Sequence, residues 1–105
     1  MKLSEPAIRL IMGDMMESII ARVPPELELL ADPTNALDFQ MYMFPLLIQR
    51  LERIWKSHHL IIANEIDPKE KQRFKDNALK RILITCLFSG LTMETSTLVL
   101  AEITA

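Results

Sequence analysis

The chain is poor in residues that cross-link or turn a polypeptide: it has one cysteine and two glycines among 105 residues. One cysteine cannot form a disulfide within the chain, which excludes a disulfide-rich scaffold. Two glycines cannot supply the turns of many hairpins, which argues against a β-sheet protein. Leucine (16) and isoleucine (12) are abundant instead, against 2 valines. This composition favours helices.

The sequence also lacks a strong net charge and a long apolar run. The formal net charge of -2 excludes a strongly basic nucleic-acid-binding protein, and a hydrophobic fraction of 50% excludes a disordered chain. Charged residues interrupt the N-terminal segment, and no apolar run approaches the roughly 18 residues of a membrane span. These features predict a soluble cytoplasmic protein without a membrane partner, with residues 1–105 forming a single domain.

The hydrophobic fraction is nevertheless large for so short a chain. A domain of this length buries only roughly 60–70% of the surface that its unfolded chain exposes. We therefore expect part of the apolar surface to lie outside a monomeric core, where a second copy or a partner protein would cover it.

Two helices are predicted in the N-terminal third. The first spans Glu5–Arg22, with Ser4 as N-cap, because a serine hydroxyl can accept a hydrogen bond from the first turn. Gly13 inside it either allows a close helix contact or has no structural role. A short second helix is predicted over Pro25–Ala31. The first helix carries an apolar stripe that consists of Ile8, Met12, Met15, Met16, Ile19, Ile20 and Val23.

A long third helix is predicted over Asn35–Asn64. Proline removes one backbone hydrogen bond and clashes with the preceding turn, so Pro45 predicts a kink or a break near Phe44. Beyond Pro45, one mostly apolar face contains Leu47, Leu51, Ile54, Trp55, His58, Ile61 and Ile62.

The fourth helix has the clearest start and stop signals. Asp67 is the predicted N-cap, Pro68 the first helical residue and Glu70 the third, which is the aspartate form of a capping box. The helix is predicted to end at residue 88 or 89, because Gly90 can adopt the left-handed conformation. Segment 82–88 is apolar on all sides, so we expect it to be buried on all sides, as a central helix or in a subunit interface.

The C-terminal residues fit two structures. Thr92 can cap a helix over Met93–Thr104, whereas a strand would suit the β-branched residues of this segment. Those residues include Thr95, Thr97, Val99 and Ile103. Because no other segment has a strand pattern, we favour the helix. The whole chain is thus predicted to be an all-α, single-domain helical bundle of four to five helices, with a long Pro-kinked helix and a short C-terminal helix.

Charge is distributed unevenly along the chain. Residues 1–49 carry 3 basic and 7 acidic groups, residues 50–81 carry 9 and 5, and residues 82–105 carry two glutamates and no basic group. This asymmetry would allow two copies to attract each other in a homodimer, or the basic segment to face an acidic partner. The third interpretation is an ordinary solvated surface.

No combination of residues indicates catalysis, a cofactor or a metal site. His58 and His59 are the only histidines, and as neighbours on a helix they point about 100° apart, so they do not converge on a metal ion. His58 shares a face with Glu65, and a buried histidine–carboxylate pair there would be a pH-sensitive contact, whereas the favoured interpretation of His58 is a structural one. Cys86 lies in an apolar stretch, which predicts a buried and inert thiol. We therefore predict a protein that is not an enzyme and uses no cofactor and no metal ion.

The residues that point to a function are the seven methionines and the single tryptophan. Flexible thioether side chains suit an adaptable binding surface as well as an irregular core, and tryptophan is enriched at binding hot spots. We predict an interaction module of adaptor, chaperone, inhibitor or regulator type that binds a partner protein through an apolar helix face, as a homodimer. The predicted contact residues are Met12, Met15, Met16, Ile19, Trp55 and His59.

The alternative is a small DNA-associated transcriptional regulator with a degenerate helix-turn-helix over residues 78–104. Its predicted last helix contains Glu94 and Glu102 but no lysine or arginine, whereas DNA recognition needs basic and amide donors. Nucleic acid is therefore the less favoured partner. Basic residues upstream that would still contact it are Lys69, Lys71, Arg73, Lys75, Lys80 and Arg81.

Overall fold

The computed structural model describes residues 2–24, 26 and 33–105. In these parts of the chain there is no strand, and no helix combines the length and the apolar composition needed to cross a membrane. The all-α prediction is confirmed. The predicted short helix over Pro25–Ala31 lies outside the described residues, apart from Glu26. The helices are α1 (Glu5–Arg22), α2 (Pro33–Asn64), α3 (Pro68–Phe88) and α4 (Met93–Ile103).

Polar side chains cap three of these helices. Ser4 Oγ accepts a hydrogen bond from the backbone N–H three residues ahead at 3.2 Å, Asp67 Oδ1 from two residues ahead at 3.0 Å, and Thr92 Oγ1 from three residues ahead at 3.1 Å. Each bond satisfies a backbone donor that has no partner inside its helix. The predicted N-caps are confirmed, and the C-terminal segment is a helix rather than a strand.

The start of α3 differs in one respect from the predicted capping box. Glu65, in the loop before the helix, accepts hydrogen bonds from the backbone N–H groups of Ile66 and Asp67, both at 3.0 Å. The N–H of Asp67 is thereby satisfied from the loop, and Glu70 pairs with Arg73 on the helix surface instead. The aspartate cap is confirmed, but the predicted reciprocal bond from Glu70 is wrong.

Gly90 terminates α3 as predicted. Its φ of 92° lies in the left-handed region that glycine adopts without strain. The N–H groups of Gly90 and Leu91 donate to the carbonyl oxygens of Leu87 at 3.1 Å and Cys86 at 3.2 Å, which satisfies acceptors of the last helical turn.

The long helix α2 continues through Pro45 without interruption. The chain does not break near Phe44, so only the kink remains as a prediction, based on the backbone N–H that proline lacks. The 32 residues of α2 span about 48 Å at 1.5 Å per residue. This length explains the elongated shape of the described chain, which measures 56 × 24 × 20 Å.

The core lies where the four helices meet. The helix α2 packs against α1 and α3, and α4 packs against α1 and α3. Residues 65–67 connect α2 to α3, so these two helices form a hairpin that continues beyond the core. The buried core residues are Ile11, Met15, Leu47, Leu51, Ile54, Ile82, Cys86, Leu91, Val99 and Ile103.

Two carboxylates connect α1 and α4, with one contact near each end of α4. Glu102 accepts hydrogen bonds from the backbone N–H of Ser4 at 2.7 Å and from its hydroxyl at 2.6 Å. Asp14 accepts from the backbone N–H of Thr92 at 3.0 Å and from its hydroxyl at 3.1 Å. Each carboxylate therefore lies at the N-terminus of the other helix, where the helix dipole favours a negative charge.

The Ser4–Glu102 contact makes stability depend on pH. The hydrogen bonds from the hydroxyl and the N–H of Ser4 hold the pKa of Glu102 below its ordinary value. A depressed pKa stabilises the folded protein above the ordinary glutamate pKa of about 4.3, and this contribution is lost as the pH falls through the folded-state pKa. We therefore expect Glu102→Gln to lower the melting temperature at neutral pH and to have progressively less effect as the pH falls below the ordinary glutamate pKa.

Thermal melting of the two proteins across this pH range checks the expectation. The matched control is Glu17→Gln, because Glu17 is exposed and forms no hydrogen bond or ion pair within the described residues. This control should melt like the wild type. A melting-temperature difference between wild type and Glu102→Gln that stays constant with pH would contradict the assigned role of the contact.

Segment 82–88 is not buried on all sides. Ile82 and Cys86 are fully buried, but Ile84 is 50% exposed and Phe88 is 80% exposed. The buried residues of α3, which are Ala78, Ile82 and Cys86, share one side of the helix, and Ile84 and Phe88 lie away from that side. The prediction of a central, fully enclosed helix is therefore wrong for one chain.

Candidate partner-binding groove

Trp55 and His59 lie one turn apart on the same face of α2, and their rings contact each other. The ring centroids are 5.5 Å apart and the ring planes are inclined by 42°. Trp55 is half-buried and packs against the core, whereas His59 is exposed. The structure thus brings two of the predicted contact residues together at the edge of the core.

A groove of about 370 Å³ opens beside this aromatic pair. One wall belongs to α2, the other to α3, and a threonine at the end of α4 completes the lining. We call it the Trp55 groove. Its lining residues are Trp55, His59, Ile62, Pro68, Lys71, Gln72, Lys75 and Thr104.

Lys71 and Lys75 give the α3 wall a positive charge. They are one turn apart and exposed. Neither lysine forms an ion pair or a side-chain hydrogen bond within the described residues. The groove therefore combines an apolar interior with two cations that form no ion pair within the described residues.

Trp55 also lines an adjoining cavity of about 330 Å³ near the C-terminus. The indole ring is thus shared by two concave surfaces. The other lining residues of this cavity are Lys2, Glu52, Lys56, Glu102, Ile103 and Ala105.

A larger depression, of about 540 Å³, is less suited to recognition. All its lining residues belong to one face of α2, and all of them are polar. It therefore offers no apolar anchor and no second wall. These residues are Gln49, Glu52, Arg53, Lys56 and Ser57.

The methionine stripe predicted on α1 does not form one exposed surface. Met15 is only 3% exposed, because the buried side of α1 is centred on Ile11 and Met15. The cavity beside Met15 and Ile19 measures only about 80 Å³. Of the predicted contact residues, this leaves Met12, Met16 and Ile19 half-buried on the flanks of the helix.

The alternative in which His58 pairs with Glu65 is not what the structure shows. His58 Nε2 lies 2.9 Å from Arg81 Nη1. A guanidinium can only donate, so Nε2 accepts this hydrogen bond and the ring proton lies on Nδ1. Glu65 instead binds backbone N–H groups of the loop before α3. His58 therefore connects α2 to α3.

Cys86 is the buried thiol that the sequence predicts. It is fully enclosed in the core, and burial raises the pKa of its thiol to about 11. Because the thiolate is the nucleophilic form, this cysteine is unreactive at neutral pH. Among residues 2–24, 26 and 33–105, no group of three or more histidine, cysteine, aspartate or glutamate side chains could hold a metal ion.

The helices α3 and α4 are joined by the short turn that a helix-turn-helix requires. The exposed side of α4 carries Glu94 and no cation. Glu102, at the other end of α4, is bound to Ser4. The helix that would enter a DNA groove therefore presents neutral and acidic groups.

The sequence pattern alone does not place Ile62, Pro68, Lys71 and Lys75 in one site with Trp55. The sequence feature that could have revealed this site is the short connection at residues 65–67, because it makes α2 and α3 neighbours. Residues at similar distances from such a loop face each other, as Ile62 and Lys71 do across the groove.

Comparison of the chain with protein-family models, curated proteins and solved structures gives no match.

Proposed function

We propose that the protein is a non-enzymatic interaction module of adaptor, chaperone, inhibitor or regulator type, which binds a partner protein at the Trp55 groove. Its scaffold is a single-domain helical bundle whose long helix is kinked at Pro45. One observation carries the proposal: the half-buried ring of Trp55 contacts the exposed ring of His59 and lines two adjoining cavities.

Binding at the groove is favourable because it removes the indole surface of Trp55 from water. An apolar partner side chain that enters the groove buries surface on Trp55 and Ile62, and each Å² of apolar surface contributes about 25 cal/mol. The lysines and other polar groups at the edge add orientation and specificity more than affinity. This division between apolar centre and polar rim is typical of protein interfaces.

The proposal includes a homodimer. Ile84 and Phe88 are apolar and at least half exposed, and a second copy would cover them. Ile84 follows Lys75 by nine residues, so the two side chains point about 180° apart around the axis of α3. Dimerisation and partner binding would therefore use different sides of this helix. A molar mass in solution equal to one chain of 12.1 kDa would remove the dimer from the proposal.

Comparative affinity purification from the native host tests the groove. The three baits are the wild type, Trp55→Ala and the matched control Tyr42→Ala, because Tyr42 is an aromatic residue of the same helix that is 67% exposed. Truncation of an anchoring tryptophan costs about 2 kcal/mol or more of binding free energy, roughly a thirtyfold loss of affinity. We expect at least one protein to bind the wild type and the Tyr42→Ala variant but not the Trp55→Ala variant.

Trp55 also packs against the core, so its replacement can lower stability. A second variant, His59→Glu, changes only an exposed side chain of the groove, and it should lose the same bound protein while melting like the wild type. The proposal is contradicted if both groove variants retain every protein that the wild type binds, or if the wild type binds none.

A further inference from the structure

We propose that the Trp55 groove recognises an acidic helical segment of the partner protein. Two carboxylates of that segment pair with Lys71 and Lys75, and an apolar side chain between them packs on Trp55. The inference rests on the proposed function and adds the chemical class of the partner.

The charge of the groove supports an acidic occupant. Lys71 and Lys75 have no ion pair within the described chain, and the carboxylates near them in sequence have other partners. Asp67 caps the helix, Glu70 pairs with an arginine three residues on, and Asp76 accepts a hydrogen bond from a glutamine side chain at 2.9 Å. Carboxylates of a partner would supply the missing counter-charge.

The lining of the groove favours a protein segment over a nucleic acid. Trp55, Ile62 and Pro68 are apolar, and only two lysines lie among the eight lining residues. A phosphate backbone needs a succession of cations, since neutralised phosphates supply most of the affinity of nucleic-acid binding. An amphipathic helix matches both properties, with apolar side chains for the interior and carboxylates for the rim.

The spacing of the groove residues sets the expected pattern in the partner. Lys71 and Lys75 are one turn apart, so their Cβ atoms are about 5–6 Å apart on the helix surface. The α2 wall from Trp55 to Ile62 is about 10 Å long at 1.5 Å per residue. A helix of two to three turns fits, with acidic residues at positions i and i+4 beside an apolar residue.

A pair of synthetic peptides tests this inference. The probe is a helical peptide of about 15 residues without tryptophan, which carries leucines on one face and glutamates at i and i+4 along its edge. The matched peptide has glutamine in place of glutamate. Fluorescence anisotropy of the labelled peptides should show the acidic one binding at least about tenfold more tightly. The emission of Trp55, the single tryptophan, should change on binding.

Two double variants test which lysines of α3 bind the acidic peptide. Lys71→Glu with Lys75→Glu should weaken binding of the acidic peptide by about tenfold or more. Lys69→Glu with Lys80→Glu makes the same change of net charge at exposed positions of α3 that do not line the groove. This control should change the affinity by less than about twofold if the local pairing decides recognition.

The outcomes separate this inference from the proposed function. Equal binding of both peptides, lost in Trp55→Ala, would overturn acid recognition and leave the groove as a protein-binding site. Displacement of the peptide by single-stranded oligothymidylate would overturn it in favour of nucleic acid. Failure of both peptides to bind would also overturn it, and the proposed function would then depend on the affinity purification alone.

Discussion

Replacement of Ile82 by alanine is expected to lower the free energy of unfolding by about 2–5 kcal/mol. The side chain of Ile82 is fully buried in the core shared by the four helices. Its truncation removes apolar contacts and leaves a cavity that the surrounding helices fill only in part. Urea denaturation followed by circular dichroism measures the change, provided that the slope of the transition stays constant.

Ile84→Ala is the matched control, two residues further along the same helix. Its side chain is 50% exposed, so less contact is lost, and we expect a change below about 1 kcal/mol in the monomer. If Ile84 lies in a homodimer interface, the effect of its replacement should grow with protein concentration, because assembly stabilises only the folded state. If Ile82→Ala and Ile84→Ala lowered the free energy of unfolding of a monomer equally, the assignment of Ile82 to the buried side of α3 and of Ile84 to its exposed side would be contradicted.

Gly90→Ala is expected to lower the free energy of unfolding by about 1–3 kcal/mol. Two effects add at this position. The φ of 92° is strained for any residue with a Cβ atom, and a Cβ built there would lie 2.5 Å from Ser18 Oγ and 2.7 Å from Ser18 Cβ. The turn between α3 and α4 and the side chain of Ser18 on α1 would both have to shift.

Gly13→Ala, the same chemical change at another position, is expected to have the opposite effect on the free energy of unfolding. Gly13 lies inside α1, and a Cβ built there has no neighbour within 4 Å. It therefore allows no close helix contact, and alanine should raise the free energy of unfolding by up to about 1 kcal/mol through its higher helix propensity. Equilibrium unfolding of both variants checks the pair, and the account of Gly90 fails if both change stability in the same direction.

The ends of the helices were predictable because local chemistry decides them. Ser4, Asp67 and Thr92 satisfy nearby backbone donors, and Gly90 adopts a backbone conformation that few other residues tolerate. The absence of the bond from Glu70 could not be predicted, because it is Glu65, in the loop, that accepts the hydrogen bond of the same N–H. Such competition depends on the path of the chain before the helix.

Burial was harder to predict because it depends on where the neighbouring helices lie. The sequence marks segment 82–88 as apolar on all sides, yet Phe88 is 80% exposed, because the buried residues of α3 lie on one side of the helix and Phe88 lies away from it. On α1, the apolar stripe suggests a methionine surface, whereas the core contact is centred on Ile11 and Met15. Periodicity identifies an amphipathic helix but does not set the direction of the core within a broad apolar face.

The candidate site was predictable only in part, because its two walls belong to different helices. Trp55 and His59 are four residues apart on one helix, so their proximity follows from the sequence. Lys71 and Lys75 join them only through the pairing of α2 with α3, which is a tertiary contact. The basic charge of the middle segment was visible, but not which of its lysines would lie beside an apolar groove.

The most direct test of the central claim is a nitrogen-15 correlation spectrum of the labelled protein, recorded with and without the partner that affinity purification identifies. Trp55 supplies the single indole N–H signal of the chain, and it lies at the centre of the proposed site. We predict that this signal and the amides of the Trp55 groove show the largest shifts. Shifts confined to α1 and α4, with an unchanged indole signal, would contradict the claim that the groove binds the partner.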